Sequence, residues 1–312
     1  MSSWKKLEVK DFSVIYPYIK SAVQRNHYNY NLNLVESMTY YNGQLFYKIE
    51  DEVLLVARNA RVMNTLFHKL LFQPIHLGGD TGKEIEALKN LVSIGGSGRI
   101  ALSFAKESGL KYSYEPALSG GKEVLYEKKG FDLSGKKYKH IRKMHNRFKD
   151  HLSKGLLNIK YDLPLDALAP LYEKWSAERG YGKGIMSLLL TNKDDLERYI
   201  KNVSVLDKNG KVVFTTLYFD YECGVWCAFA SMTDFSCPLA HSLQSTTKVY
   251  LLENHPKLEV IISGGWSSKG VEDSKKSLPH TIVRQVRPKT IKKLTEEEWI
   301  SFKPQQTNFF GV

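Results

Sequence analysis

Phe12, Ile15, Ile19 and Val23 recur at intervals of three and four, the spacing of one helix face, and predict an opening helix over 11–24. The Asn- and Tyr-rich stretch 28–41 holds neither helical nor strand period and reads as a surface loop. Apolar runs at 45–49 and 53–57, parted by Glu50-Asp51-Glu52, predict a hairpin. A further strand is expected over 66–77, with Pro74 confining part of it to an edge. Thr81-Gly82-Lys83-Glu84 has the form of a capping box and predicts a helix through Leu91. The turn Gly95-Gly96-Ser97-Gly98 precedes a helix expected over 99–108, which Gly109 ends; short strands follow at 111–116 and 123–126.

Near mid-chain the pattern sharpens. Tyr138, Ile141, Met144, Phe148 and Leu152 form one helical stripe within 135–154. The other faces carry Lys136, Lys137, Lys139, Arg142, Lys143, Arg147 and Lys149, with no acid between 136 and 149. Such a helix can pack on a core and still offer cations to an anionic partner. Beyond it, Pro164 and Pro170 bracket the start of a helix over 171–178, and a second helix is expected at 193–202 after a mobile connection at Gly182 and Gly184. Three antiparallel strands are expected at 203–206, 212–219 and 224–231, the first turn marked by Asn209-Gly210. A helix over 239–253 begins beside Pro238, followed by a strand at 258–263, a short helix at 271–276 and a last strand at 281–286.

Composition narrows the class of partner. The 312 residues are 42% hydrophobic and 12% aromatic, enough for folded cores in two domains or one large one. The net charge of +12, over half of it in the acid-free stretch, favours polyanions: nucleic acid, the phosphates of coenzyme A, or an anionic membrane surface. No apolar run reaches the length of a membrane-spanning helix, the opening MSSWKKLEVKDF lacks a signal-peptide core, and Cys223, Cys227 and Cys237 suit a reducing compartment, so a cytoplasmic protein is expected. No Cys/His set has zinc spacing, and no metal is expected. The glycine turn at 95–98 lacks the preceding strand and the spacing of a dinucleotide fingerprint. It reads as an interhelical turn, although a phosphate cradle at the start of the next helix is physically possible.

The order helix, helix, three antiparallel strands, helix, strand, helix, strand is that of a GNAT acyltransferase, and the first half gives a looser version of it. The chain resembles the phosphatidylglycerol lysyltransferase C-terminal domain family. The resemblance rests on Leu133-Ser134-Gly135-Lys136-Lys137-Tyr138 with Arg142 and Phe148, on Tyr126 and Asp132 before them, and on Gly270-Val271 with Lys275 and Pro279. Two departures stand out: Ile141-Arg142-Lys143 where that family shows Lys-Arg-Asn, and Ser263-Gly264-Gly265-Trp266-Ser267-Ser268 where it has a polar cluster. The resemblance implies an α+β, mixed-sheet fold of two tandem GNAT-like domains, 1–130 and 155–312, joined by a basic linking helix at 131–154.

It also implies an acyl- or aminoacyltransferase whose donor is acyl-CoA or aminoacyl-tRNA and whose acceptor is an amine or hydroxyl held between the domains. In a GNAT-type site the donor lies where the central helix begins, here Pro238, Leu239 and onward to Gln244, where backbone N–H groups and the helix dipole meet phosphate. His241 is the candidate base, Tyr250 the candidate acid for the leaving group, and Glu272 a further catalytic candidate that, with Asp273, can orient an acceptor amine. Lys269, Lys275 and Arg284, together with Lys136, Lys137, Arg142 and Arg147, can hold phosphate, and Trp266 can stack on a base. The resemblance favours aminoacyl-tRNA as the donor and the charge fits it, while the absence of a coenzyme A loop of the Gln/Arg-x-x-Gly-x-Gly/Ala kind after Ser231 speaks against ordinary acetylation. Two rivals remain open: a non-catalytic protein that binds DNA or RNA through the basic helix, and an acyltransferase that modifies nucleic acid itself.

Overall fold

Two mixed sheets organise the chain. The computed structural model describes residues 4–25, 38, 44–62, 65–93, 97–98, 100–114, 122–179, 183–263 and 269–288. The first sheet has six strands: β1 (Lys5–Lys6), β2 (Leu45–Glu50), β3 (Val53–Val62), β4 (Thr65–Leu70), β5 (Ile75–His76) and β6 (Ser97–Gly98), in the order β1-β2-β3-β4-β6 with β5 on β3. The expected hairpin is there, turning through Asp51 and Glu52 at φ 49° and 62°. Two successive left-handed residues give a two-residue turn the twist that adjacent strands require.

The second sheet has nine strands and draws on both halves of the sequence. From the first half come β7 (Ile100–Ala101), β8 (Tyr112–Tyr114) and β9 (Lys122–Glu127); from the second, β10 (Leu157–Tyr161), β11 (Ile200–Asp207), β12 (Val212–Asp220), β13 (Val225–Thr233), β14 (Val260–Ile262) and β15 (Thr281–Pro288). The order is β10-β11-β12-β13-β14-β9-β15-β7, with β8 beside β15. β9 therefore lies inside this sheet, antiparallel to β14 through Leu125↔Ile262 and to β15 through Leu125↔Thr281. The expected division near residue 130 does not coincide with a break between the two sheets.

The helices are α1 (Phe12–Gln24), α2 (Thr81–Ser93), α3 (Leu102–Glu107), α4 (Lys139–Ser153), α5 (Leu165–Arg179), α6 (Lys183–Thr191), α7 (Lys193–Leu196), α8 (Ala240–Asn254) and α9 (Lys269–Lys276). No described helix is long and apolar enough to cross a membrane. α1 ties the sheets together: its Phe12, Ile15 and Ile19 share one core with Leu54 and Val56 of β3 and with Leu217 and Phe219 of β12. Burying each such side chain stabilises the fold by about 1.5–3 kcal/mol. On the other face of the second sheet lie α4 and α8, where Phe148 and Leu243 close over Val205 and Phe214. The stripe read from the sequence faces inward there, with Ile141 and Phe148 buried and His145 buried between them.

Three local expectations are corrected. The expected 193–202 helix is the short α7, since Ile200 already opens β11 and pairs with Phe219. The 99–108 helix starts later, because Ile100 and Ala101 pair with β15. The capping box at Thr81 is replaced by Asp80, whose carboxylate accepts from Lys83 N at 3.2 Å. Glu84 turns inward instead, accepting from His76 N at 2.8 Å and Arg25 Nη2 at 3.1 Å.

Candidate active site

β13 and β14 run parallel for three rungs only, Val225↔Val260 to Cys227↔Ile262. One residue later β13 bulges. Leu217 of β12 opposes Ala230 and Tyr218 opposes Ala228, so Phe229 is the extra residue. A bulge bends its strand and sharpens the twist, which carries β13 away from β14 at the end of their ladder. From Ala228 to Thr233, β13 has no strand partner on that side among the described residues, so its backbone donors and acceptors face the gap. Ala228 to Ser231 are only half-buried although they lie mid-sheet. The wedge is open.

Ser263, the first residue after β14, stands at the vertex of this wedge, and four elements meet around it. Its N–H donates to Val124 O of β9 at 2.9 Å. Its Oγ lies 3.1 Å from Lys248 Nζ, a side chain reaching from the middle of α8. Its carbonyl accepts from the Lys275 ammonium of α9. Tyr126 of β9 lies below, its ring 4.8 Å from Lys248 Nζ and its hydroxyl donating to Lys275 O at 3.0 Å. Lys248 is only 6% exposed, and among the described residues no carboxylate pairs with it. Burial, reinforced by the neighbouring Lys275 charge, pushes its ammonium down to about 7. Burial raises the Tyr126 phenol far above its ordinary range, so this hydroxyl stays protonated.

The start of α8 is fixed by the loop after β13. Burial alone would raise the Asp234 carboxyl, but hydrogen bonds from Lys174, Lys211 and Ser236 outweigh it and hold the group well below the carboxylate range. Lys174 Nζ lies 2.5 Å from Oδ1 and Lys211 Nζ 2.7 Å from Oδ2. Asp207 also lies close to Lys211, so two cations and two carboxylates meet at this end of the helix. The free N–H groups expected there are largely engaged: Ala240 N donates to Cys237 O, and Ser242 N and Leu243 N both donate to Leu239 O. Leu239 reaches that position in a left-handed conformation at φ 69°. Among the described hydrogen bonds, the His241 N–H remains open in this turn.

Helical geometry sorts the remaining candidates. His241, Gln244 and Lys248 share a face of α8, with His241 exposed about 10 Å along the axis from Lys248. Tyr250 lies about 200° around the axis from Lys248. Its ring packs edge-on to Phe148 at 6.1 Å, under the basic helix and away from the wedge. The expected acid role for Tyr250 is therefore corrected: two residues on a helix separate opposite faces. Pro238 is exposed in the loop. On α9, Glu272 pairs with Lys276 at 2.5 Å, Asp273 is exposed, and Lys275 reaches the vertex. Lys269 opens α9 and Arg284 lies in β15 opposite Lys122, but their side chains, and Trp266 entirely, lie outside the described residues.

The basic helix packs directly on α8. His145 Nε2 lies 2.8 Å from Glu253 Oε2, and Lys149 is 4.0 Å from the same oxygen. Arg142 turns inward, its guanidinium donating to Leu133 O and to Gly135 O at 2.8 Å. Lys136, Lys137 and Arg147 are exposed. Sequence reasoning missed Lys248, Ser263 and the Asp234 cluster. The available signal for the first was the single lysine of the helix, set between Thr247 and Val249.

A bulged central strand, a parallel neighbour that parts from it and a helix opening beside the gap define the α+β, mixed-sheet fold of GNAT type. No family model and no curated protein matches the chain. Solved structures do. It is similar to a conserved protein of unknown function from Bacteroides thetaiotaomicron (15% identity, TM-score 0.64, 92% of this chain and 99% of that one). It is also similar to the C-terminal domain of a putative lysylphosphatidylglycerol synthetase from Agrobacterium fabrum (11% identity, TM-score 0.55, 92% and 94%). L-PGS from Bacillus licheniformis gives 12% identity, TM-score 0.55 and coverage of 87% and 96%. The resemblance read from residues 126–148 is thus borne out as a likeness of fold.

Proposed function

We infer that the protein is a GNAT-fold transferase that moves an acyl or aminoacyl group from acyl-CoA or aminoacyl-tRNA to an amine or hydroxyl acceptor. The observation that supports this most is the wedge between β13 and β14, where the edge of β13 from Ala228 onward has no strand partner among the described residues. A donor carbonyl laid against that edge meets fixed backbone N–H groups, which stabilise the oxyanion of a tetrahedral intermediate without reorganising. Direct transfer from an activated ester or thioester asks chiefly for positioning and a proton acceptor. His241 and Gln244 lie on the α8 face that leads from the start of the helix toward the vertex, and contact the donor on this reading.

The exposed cations Lys136, Lys137 and Arg147, from a stretch of sequence without acids, favour a donor with many phosphates, so aminoacyl-tRNA is the reading we prefer over acyl-CoA. The test is transfer of radioactive label from aminoacyl-tRNA or acyl-CoA to amine and hydroxyl acceptors. Transfer from either supports the assignment, and the donor that works decides between them. Tight, steeply salt-dependent binding of RNA or DNA with no transfer from any donor would replace it with a nucleic-acid-binding function through the basic helix.

A further inference from the structure

Direct attack by the acceptor leaves one constellation without a task. Ser263 and Lys248 are a hydroxyl and an amine 3.1 Å apart, buried together, and among the described residues no carboxylate pairs with the amine. A hydroxyl becomes a nucleophile when an adjacent base accepts its proton and a third group orients that base. Here the Tyr126 ring supports Lys248 Nζ from below, and the Lys275 ammonium holds the Ser263 carbonyl. Position adds to chemistry. Cys227↔Ile262 is the last rung of the ladder, so Ser263 and Ala228 face each other where the strands part, roughly one strand spacing of 4.8 Å apart at the rung before. A nucleophile and the backbone donors of an oxyanion hole therefore flank the same gap.

We propose that Ser263 and Lys248 form a nucleophile–base dyad that takes the acyl group from the donor onto Ser263 before passing it to the acceptor. The proposal takes its natural donor from the transferase reading, but the dyad is testable without it. Ser263 Oγ attacks the donor carbonyl while its proton moves to Lys248 Nζ, and the new O–C bond forms beside the β13 edge. The C–S bond of a thioester or the C–O bond of an aminoacyl ester then breaks, and the Lys248 ammonium returns the proton to the leaving thiolate or alkoxide. In the second half, the acceptor amine or hydroxyl attacks the seryl ester, Lys248 takes the acceptor's proton and delivers it to the departing Ser263 Oγ. Bonds and protons balance, and nothing is oxidised or reduced.

The experiment uses p-nitrophenyl acetate, an activated ester that needs no donor site. Wild-type protein should release a stoichiometric burst of nitrophenolate and carry an acetyl group that peptide mass spectrometry maps to Ser263. Ser263→Ala should abolish the burst, and Lys248→Met should slow acylation about a hundredfold or more, with circular dichroism confirming that both variants fold. The same mapping is then run with acyl-CoA and aminoacyl-tRNA in the absence of acceptor. Absence of any adduct on wild-type Ser263, or a burst that survives Ser263→Ala, overturns the dyad. Label transfer that persists in Ser263→Ala leaves the transferase standing and removes the dyad. Acetylation of Ser263 without turnover of any donor does the reverse.

Discussion

His145 of the basic helix and Glu253 of α8 are joined Nε2 to Oε2 at 2.8 Å, and this contact fixes the cationic helix to the helix that carries Lys248. His145 is 3% exposed, whereas Glu253 remains largely open to water. His145→Ala removes a buried ring and opens a gap beside Phe148, which should cost about 1–3 kcal/mol in chemical denaturation. Hydrogen exchange should then speed up across 139–153 before it does in β12. Unchanged protection there would show that Phe148 alone holds the helix.

Asp234 should be the most sensitive carboxylate in the molecule. Asp234→Asn keeps the shape but leaves Lys174 and Lys211 facing each other without a counter-charge. Both lysines are partly exposed, so water screens the loss, and about 1–3 kcal/mol is expected at neutral pH. The wild-type carboxyl lies below its unfolded value, so its contribution is present above about pH 4 and is lost as pH falls further. The wild type should therefore lose more stability than Asp234→Asn between pH 5 and about 2. Parallel acid-titration curves for the two proteins would refute the pairing.

Lys248 has the opposite sign. Its folded ammonium is depressed to about 7 while the unfolded lysine titrates near 10.4, so between those values the unfolded chain binds the extra proton. Stability should rise with pH across that window. Lys248→Met removes the slope, and it should make the protein more stable than wild type at pH 6, by a few kcal/mol at most. Denaturation midpoints of the two proteins at pH 6 and 9 measure the difference. A difference that does not change with pH would mean that Lys248 is solvated.

The exposed cations of the basic helix should act on binding alone. Replacing Lys136, Lys137 and Arg147 together by Gln should leave the melting temperature nearly unchanged, as surface substitutions do. It should also lower the slope of log affinity against log salt for RNA by up to about 3. Arg142→Ala should behave differently, because that guanidinium holds the carbonyls of Leu133 and Gly135. It should destabilise the 133–138 turn, by about 1–3 kcal/mol. If all four residues behave alike in both assays, the distinction between inward and outward cations fails.

Much of the second sheet was legible in the sequence because its turns carry local chemistry. Asn209-Gly210 sets the hairpin, with Gly210 at φ 80° and the Asp207 carboxylate accepting from Asn209 N and Lys211 N, each at 2.9 Å. The basic stripe was legible too, since its period specifies a buried face. What escaped is what spacing cannot encode. Tyr250 reads as a site residue until the rotation of α8 is known, and Lys248 reads as solvent-facing until Ser263 is placed beneath it. Glu84 fits a capping box by sequence, yet the buried N–H of His76 and the Arg25 guanidinium draw it inward. The address of β9 was the largest omission, because a six-residue strand does not name its neighbours.

That address has a cost for assembly. Residues 122–127 leave the ribosome before either flanking strand exists, so both of their edges wait, unsatisfied, for segments 260–262 and 281–288 to arrive. A fragment beginning after Glu127 would carry a slot in the middle of its largest sheet, and a fragment ending there would carry the missing plank with nowhere to seat it. Mixing the two should restore a soluble species that neither yields alone, an intramolecular dependence made visible as complementation.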